Sequence, residues 1–173
     1  MRIVVAPLHE VEAAIERWAP SHVISLASPG AETAAPPTSA LWLPLTFHDI
    51  AEPRAGLIAA AEADVRGLLE FAADWAGTAG AAPLLIQCWA GVSRSPAAAF
   101  VVACALAAPG TERDVADRLR AAAPFATPNP RLVALADALL ARDGRMAAAV
   151  AAIGRGAETA MGRTFAIAAD GLP

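Results

Sequence analysis

The run CWAGVSR, at residues 88–94, begins with a cysteine and ends with an arginine. Cys88 ends the apolar run PLLIQC, and an alanine-rich apolar stretch begins just after Arg94. This order predicts a buried strand, a tight loop that Gly91 makes possible, and a helix. The inward N–H groups of residues 89–94 and the positive end of the helix would then form a cradle for a tetrahedral dianion. Arg94 can clamp two of its oxygens, and such a field favours the thiolate form of Cys88. The run therefore predicts a thiolate nucleophile inside an oxyanion cradle.

Three stretches resemble one known family. The spacing of Cys88 and Arg94, with Ser95 after them, resembles the signature loop of the cysteine-dependent protein tyrosine phosphatases. Chain size and Gly91 make it most similar to the small dual-specificity branch. The stretch LTFHDIAEP resembles the general-acid loop of that branch, with Asp49 in the aspartate position, and ATPNPRLVAL resembles the Pro-Asn and helix that follow the signature helix. The resemblance covers roughly residues 20 to 142.

The resemblance implies a phosphomonoester hydrolase that works through a cysteinyl-phosphate, without a cofactor. No cluster of His, Asp and Cys has metal-ligand spacing, so no metal is expected. Cys88 would attack phosphorus, while Asp49 would protonate the leaving oxygen and then activate water. Ser95 would hydrogen-bond the sulfur and make it a better leaving group. The expected phosphate-binding residues are Trp89, Ala90, Gly91, Val92, Ser93 and Arg94.

Alternatives stay open at this point. The family usually has histidine before the nucleophile, where this chain has Gln87, so a pseudophosphatase that binds phosphorylated ligands without turnover is one alternative. A rhodanese-like sulfurtransferase also uses a cysteine on a loop, although Ser95 and the apparent acid loop argue against it. Glu52 is the nearest rival of Asp49 for the acid. Cys104 lies in an apolar helix and is expected to be a core residue.

Short apolar runs alternate with helical patterns along the chain, which predicts a three-layer α/β sandwich with a mainly parallel sheet of four or five strands. In such folds, ligands bind beyond the carboxyl ends of the strands, where Cys88 is expected. Pro44 argues that its strand lies at a sheet edge. The expected strands are 2–6, 21–26, 41–47 and 83–88, and the expected helices are 8–18, 55–75, 95–107, 111–123 and 129–142.

Length and composition exclude several classes. The 173 residues predict one domain at 1–155, with a C-terminal extension at 156–173. The net charge of −4 argues against nucleic acid or an anionic membrane as partner. No transmembrane or signal segment is evident, and two cysteines fit a reducing cytoplasm. The expected partner is a phosphorylated protein or a small phosphomonoester. All 13 basic residues are arginine, so the loop lacks the lysine of many phosphoinositide-directed relatives.

Overall fold

The computed structural model describes residues 1–31, 35–78 and 82–169. Within them the chain forms five strands and six α-helices, with a short 3-10 turn at Leu8–Glu10. The strands are β1 (Arg2–Pro7), β2 (His22–Ala27), β3 (Leu41–Thr46), β4 (Leu84–Cys88) and β5 (Phe165–Ala168). The helices are α1 (Val11–Trp18), α2 (Glu62–Thr78), α3 (Arg94–Leu106), α4 (Glu112–Ala122), α5 (Pro130–Leu139) and α6 (Arg145–Ile153).

The strands form one sheet in the order β3-β2-β4-β1-β5. The pairs β2–β3, β2–β4 and β1–β4 are parallel, and β5 runs antiparallel to β1. β4 lies in the centre and all five of its residues are buried. Pro44 lies in β3, at the edge of the sheet. An edge strand has a neighbour on one side only, so it tolerates a residue without an N–H donor.

Alternating side chains of the strands pack into two separate hydrophobic cores, one on each face of the sheet. Ile3, Val5 and Ile86 face the layer that contains α2 to α6, while Val4 and Leu85 pack against α1 on the other face. The fold is therefore the three-layer α/β sandwich expected from the sequence. In α3, every side chain from Arg94 to Cys104 is buried, and its small alanines allow neighbouring helices to pack closely.

Three elements of the chain differ from the expectation. The helix expected at 55–75 begins only at Glu62, because Gly56 turns the chain with φ of +76° and the Asp64 side chain accepts the N–H of Ala61. Helix α6 and strand β5 were not predicted. Both pack on elements far away in sequence, α6 on α4 and β5 on β1.

Strand β5 lies within the segment 156–173, of which residues 170–173 are outside the described part of the chain. None of the helices in the described ranges combines the length and the apolar character that a membrane crossing requires.

Candidate active site

The Cys88 loop, residues 88–94, lies at the carboxyl edge of the parallel strands. Cys88 is the last residue of β4 and stands in register with Pro7 of β1 and Leu26 of β2. The residue is 3% exposed. The Sγ atom is 3.0 Å from Ser95 Oγ and accepts a hydrogen bond of 3.3 Å from the N–H of Gly91. The sulfur therefore has two polar neighbours at the base of the loop.

Gly91 is required by the path of this loop. Its φ of +68° belongs to the left-handed region, which residues with a side chain rarely adopt. A Cβ atom there would also lie 3.0 Å from the backbone nitrogen of Pro7. Any other residue would push the loop away from the end of β1.

The carbonyls of the loop are turned outward and are occupied by donors from other segments. Four of them, at positions 89, 90, 92 and 93, accept hydrogen bonds from the N–H groups of Leu8, Gly162, Thr127 and Asn129, respectively. Three N–H groups of the same peptide units, those of Ala90, Ser93 and Arg94, have no acceptor in the described part of the chain. Because the peptide groups are held by their carbonyl ends, their N–H ends remain available to an anion.

Gln87 does not take part in this arrangement. Its side chain is nearly buried on the α1 face of the sheet and makes no hydrogen bond to the loop. The support for the loop carbonyls comes instead from backbone N–H groups of three other parts of the chain.

Arg94 is held by one nitrogen and leaves one edge of its guanidinium unused. Its Nη1 donates to the carbonyl of Phe47 at 3.0 Å and to Ser28 Oγ at 3.2 Å, at the ends of β3 and β2. Its Nε is buried and has no acceptor among the described residues. A buried guanidinium N–H without an acceptor is costly, so this edge is suited to an anion held by two parallel hydrogen bonds.

The structure places Asp49 against the Cys88 loop. Its Oδ1 accepts a hydrogen bond from Ser93 Oγ at 2.8 Å and another from Asn129 Nδ2 at 2.7 Å. Both donors use the same oxygen, which leaves Oδ2 for a substrate. Glu52 lies in a separate shallow pocket beside α5, with Arg131 and Leu135, and is exposed.

Asn129 is a site residue that the sequence analysis did not assign, although it lies in the quoted stretch ATPNPRLVAL. Its side chain is 3% exposed. Its Oδ1 accepts the N–H of Leu132 and caps α5, which begins at Pro130, while its Nδ2 donates to Asp49. The pair Asn-Pro before an apolar helix is a helix-start signal, but the second contact depends on tertiary structure.

The chain after α6 returns to the Cys88 loop. Gly162 donates its N–H to the carbonyl of Ala90 at 2.8 Å, and a Cβ atom there would lie 2.6 Å from the ring of Phe125. Two residues later, Thr164 donates both its N–H and its hydroxyl to the Glu10 carboxylate. The hydrogen bond from the Thr164 hydroxyl, followed by that from its N–H, lowers the pKa of Glu10. These contacts fasten residues 162–164 between the Cys88 loop and the start of α1.

Of the nine residues proposed for the site, the four expected to act in chemistry lie around the loop: Cys88, Arg94, Ser95 and Asp49. Trp89 is 65% exposed at the rim. No group of three or more His, Cys, Asp or Glu side chains that could hold a metal occurs in the described ranges.

Comparisons with known proteins give structural likenesses. No protein-family model and no curated protein sequence matches the chain. The crystal structure of DUSP15 is similar over 86% of this chain and 87% of that one, with 18% identity and a TM-score of 0.57. The Yvh1 phosphatase domain from Chaetomium thermophilum is similar over 82% of this chain and 92% of that one, with 15% identity and a TM-score of 0.55. The chain therefore has a fold similar to that of DUSP15 and of the Yvh1 phosphatase domain.

Proposed function

We propose that the protein is a cysteine-dependent phosphatase that hydrolyses phosphomonoesters. The observation that carries the proposal is one short loop that begins at the Cys88 thiol, which accepts the N–H of Gly91, and ends at Arg94, whose buried Nε has no acceptor among the described residues. A phosphoryl group fits this combination because its three equatorial oxygens need donors on several sides at once.

In the first step, Cys88 Sγ attacks phosphorus as the bond to the ester oxygen breaks. Arg94 and the loop N–H groups hold the equatorial oxygens as charge spreads over them. Asp49 gives its proton to the leaving oxygen from Oδ2, so that an alcohol leaves and a cysteinyl-phosphate remains.

In the second step, water attacks the cysteinyl-phosphate and the S–P bond breaks. Asp49, now a carboxylate, takes a proton from the water. Ser95 Oγ, 3.0 Å from Sγ, donates a hydrogen bond to the departing thiolate. Inorganic phosphate leaves, and the starting protonation state returns.

The test is turnover of a generic aryl phosphate, together with intact-mass detection of a phosphoryl group on Cys88 after rapid acid quench. Cys88→Ser should abolish turnover and still bind vanadate or phosphate, since the cradle is built from backbone. The matched control is Cys104→Ser, which removes the other cysteine far from the loop and should keep turnover.

Normal turnover by Cys88→Ser would rule out the mechanism. Phosphate binding by the wild type without turnover or phosphoenzyme would identify a pseudophosphatase, the reading that Gln87 leaves open. Sulfur transfer from thiosulfate would identify a sulfurtransferase instead. The contacts of Cys88 with Ser95 and of Asp49 with Ser93 favour the phosphatase, because sulfur transfer needs no acid above the loop.

A further inference from the structure

A cavity of about 500 Å³ opens beside the Cys88 loop, on the α1 side of the sheet. Its volume lies in the range of sites that bind small molecules. Arg94 and Trp89 of the loop line it, and so does Ser28, the partner of Arg94 Nη1. Arg94 is therefore shared by the cavity and the proposed phosphate site.

The walls of the cavity are mainly apolar. Their apolar members include Leu8, Val11, Pro36, Pro37 and Trp89. Leu8 and Trp89 are 45% and 65% exposed, so two large apolar side chains are left uncovered at this place. A ligand with an apolar group would remove them from water.

The charges of the cavity limit what it can hold. Among its described lining residues, Glu12 and Arg94 carry charge, and Arg94 is already directed to the cradle. A second phosphate would meet Glu12 without a cation to balance it. Gln87 offers a neutral amide that can pair with one polar group, whereas Ser25 Oγ already accepts the indole N–H of Trp42.

We propose that this cavity binds the organic group of a small phosphomonoester, an uncharged and mainly apolar group larger than one phenyl ring. This inference rests on the proposed phosphatase function for its link to catalysis. It also assigns Gln87 a place in the site, as a neutral amide available to a polar atom of the organic group.

The experiment compares phenyl phosphate with 4-biphenylyl phosphate, whose leaving groups have similar acidity and differ by one apolar ring. Burial of that ring should raise kcat/KM of the wild type by about tenfold or more. The same preference should appear in binding of the two esters to Cys88→Ser, measured by calorimetry, which does not depend on turnover.

Two variants locate the preference in the cavity. Leu8→Ala removes an exposed wall residue with little risk to folding and should reduce the biphenylyl preference about threefold, while Val11→Phe fills the cavity and should abolish it. The matched control is Leu41→Ala, at the opposite end of the sheet, where another leucine is 55% exposed. It should keep the wild-type preference.

The outcomes separate the two proposals. Equal turnover and equal binding of both esters would overturn the cavity proposal and leave the phosphatase intact. A higher kcat/KM for inositol hexakisphosphate than for the biphenylyl ester would also overturn the cavity proposal and leave the phosphatase intact. Preferential binding of the biphenylyl ester without turnover would support the cavity and overturn the phosphatase. If the protein neither bound nor turned over either ester, both proposals would be overturned.

Discussion

Ser93 Oγ donates a hydrogen bond of 2.8 Å to Asp49 Oδ1 and so joins the Cys88 loop to the loop after β3, across 44 residues of sequence. The Cys88 loop and Asp49 are thus positioned by one another. A substitution that displaces either loop is expected to displace the other.

Asp49→Asn should reduce kcat by roughly 10² to 10⁴-fold for an alkyl phosphate, because the leaving alkoxide then receives no proton. For an aryl phosphate with a good leaving group, the loss should be much smaller. The measurement is kcat across a series of esters with leaving groups of different acidity. Glu52→Gln is the matched control and should leave this dependence unchanged. If Glu52→Gln rather than Asp49→Asn showed the leaving-group effect, the acid role would belong to Glu52.

Asn129→Ser should separate the two tasks of Asn129. Serine is a good helix cap, so the stability measured by urea unfolding should stay within about 1 kcal/mol of wild type. Its side chain is too short to reach Asp49, so kcat for a poor leaving group should fall. Asn129→Ala should reduce both the stability and kcat for a poor leaving group, since it removes the helix cap as well as the hydrogen bond to Asp49. Full activity in both variants would show that the hydrogen bond to Asp49 is dispensable.

Arg94→Lys should reduce kcat/KM on the order of 10²-fold or more, because an ammonium cannot offer two parallel donors to a phosphoryl group. The comparison is Arg66→Lys on the exposed side of α2, where an arginine pairs with Glu62 and should be replaceable without effect. An Arg94→Lys enzyme within about threefold of wild type would exclude Arg94 as the clamp.

The two cysteines should differ sharply in alkylation. Burial, followed by the nearby charge of Glu112, raises the pKa of the Cys104 thiol to about 12, so this residue stays protonated at neutral pH. Iodoacetamide at about pH 8 should therefore spare Cys104, because only a thiolate reacts, and any label should be found on Cys88. Peptide mass spectrometry locates the label, and vanadate should protect against it. Labelling of Cys104 in the folded protein would contradict this assignment.

Thr164→Val should weaken the attachment of the segment after α6 in a pH-dependent way. The pKa of Glu10 is lowered in the folded protein, so its contribution to stability is present above the usual value of 4.5 and is lost as pH falls below it. Without the Thr164 hydroxyl, the unfolding free energy should be smaller at neutral pH and should change less on acidification. Thr78→Val, which removes a hydroxyl bonded to the Asp74 carbonyl, should leave the pH dependence as in wild type.

Much of the fold could be predicted because local pattern and burial agree in it. A few neighbouring residues are enough to predict three features: the burial of β4, the edge position of β3 from its proline, and the tight loop at Gly91. The late start of α2 could not be predicted, because alanines at 59–61 suit a helix and a turn at Gly56 overrides them. Strand β5 has four residues and depends on β1 for its pairing. The contacts of Asn129 with Asp49 and of Gly162 with Ala90 depend on tertiary structure alone, so no short stretch could reveal them.

The hydrogen bond from Gly162 to Ala90 also sets an order of assembly during synthesis. A chain on the ribosome exposes its N-terminal part first, so β1 to β4 and the Cys88 loop emerge well before residue 162 does. Until then, the Ala90 carbonyl lacks the donor that keeps it turned outward, and β1 lacks its outer neighbour. The contacts of the Cys88 loop are therefore completed late, after nearly all of the described chain has been made, and a nascent chain that stops at α6 should lack this support of the Ala90 carbonyl.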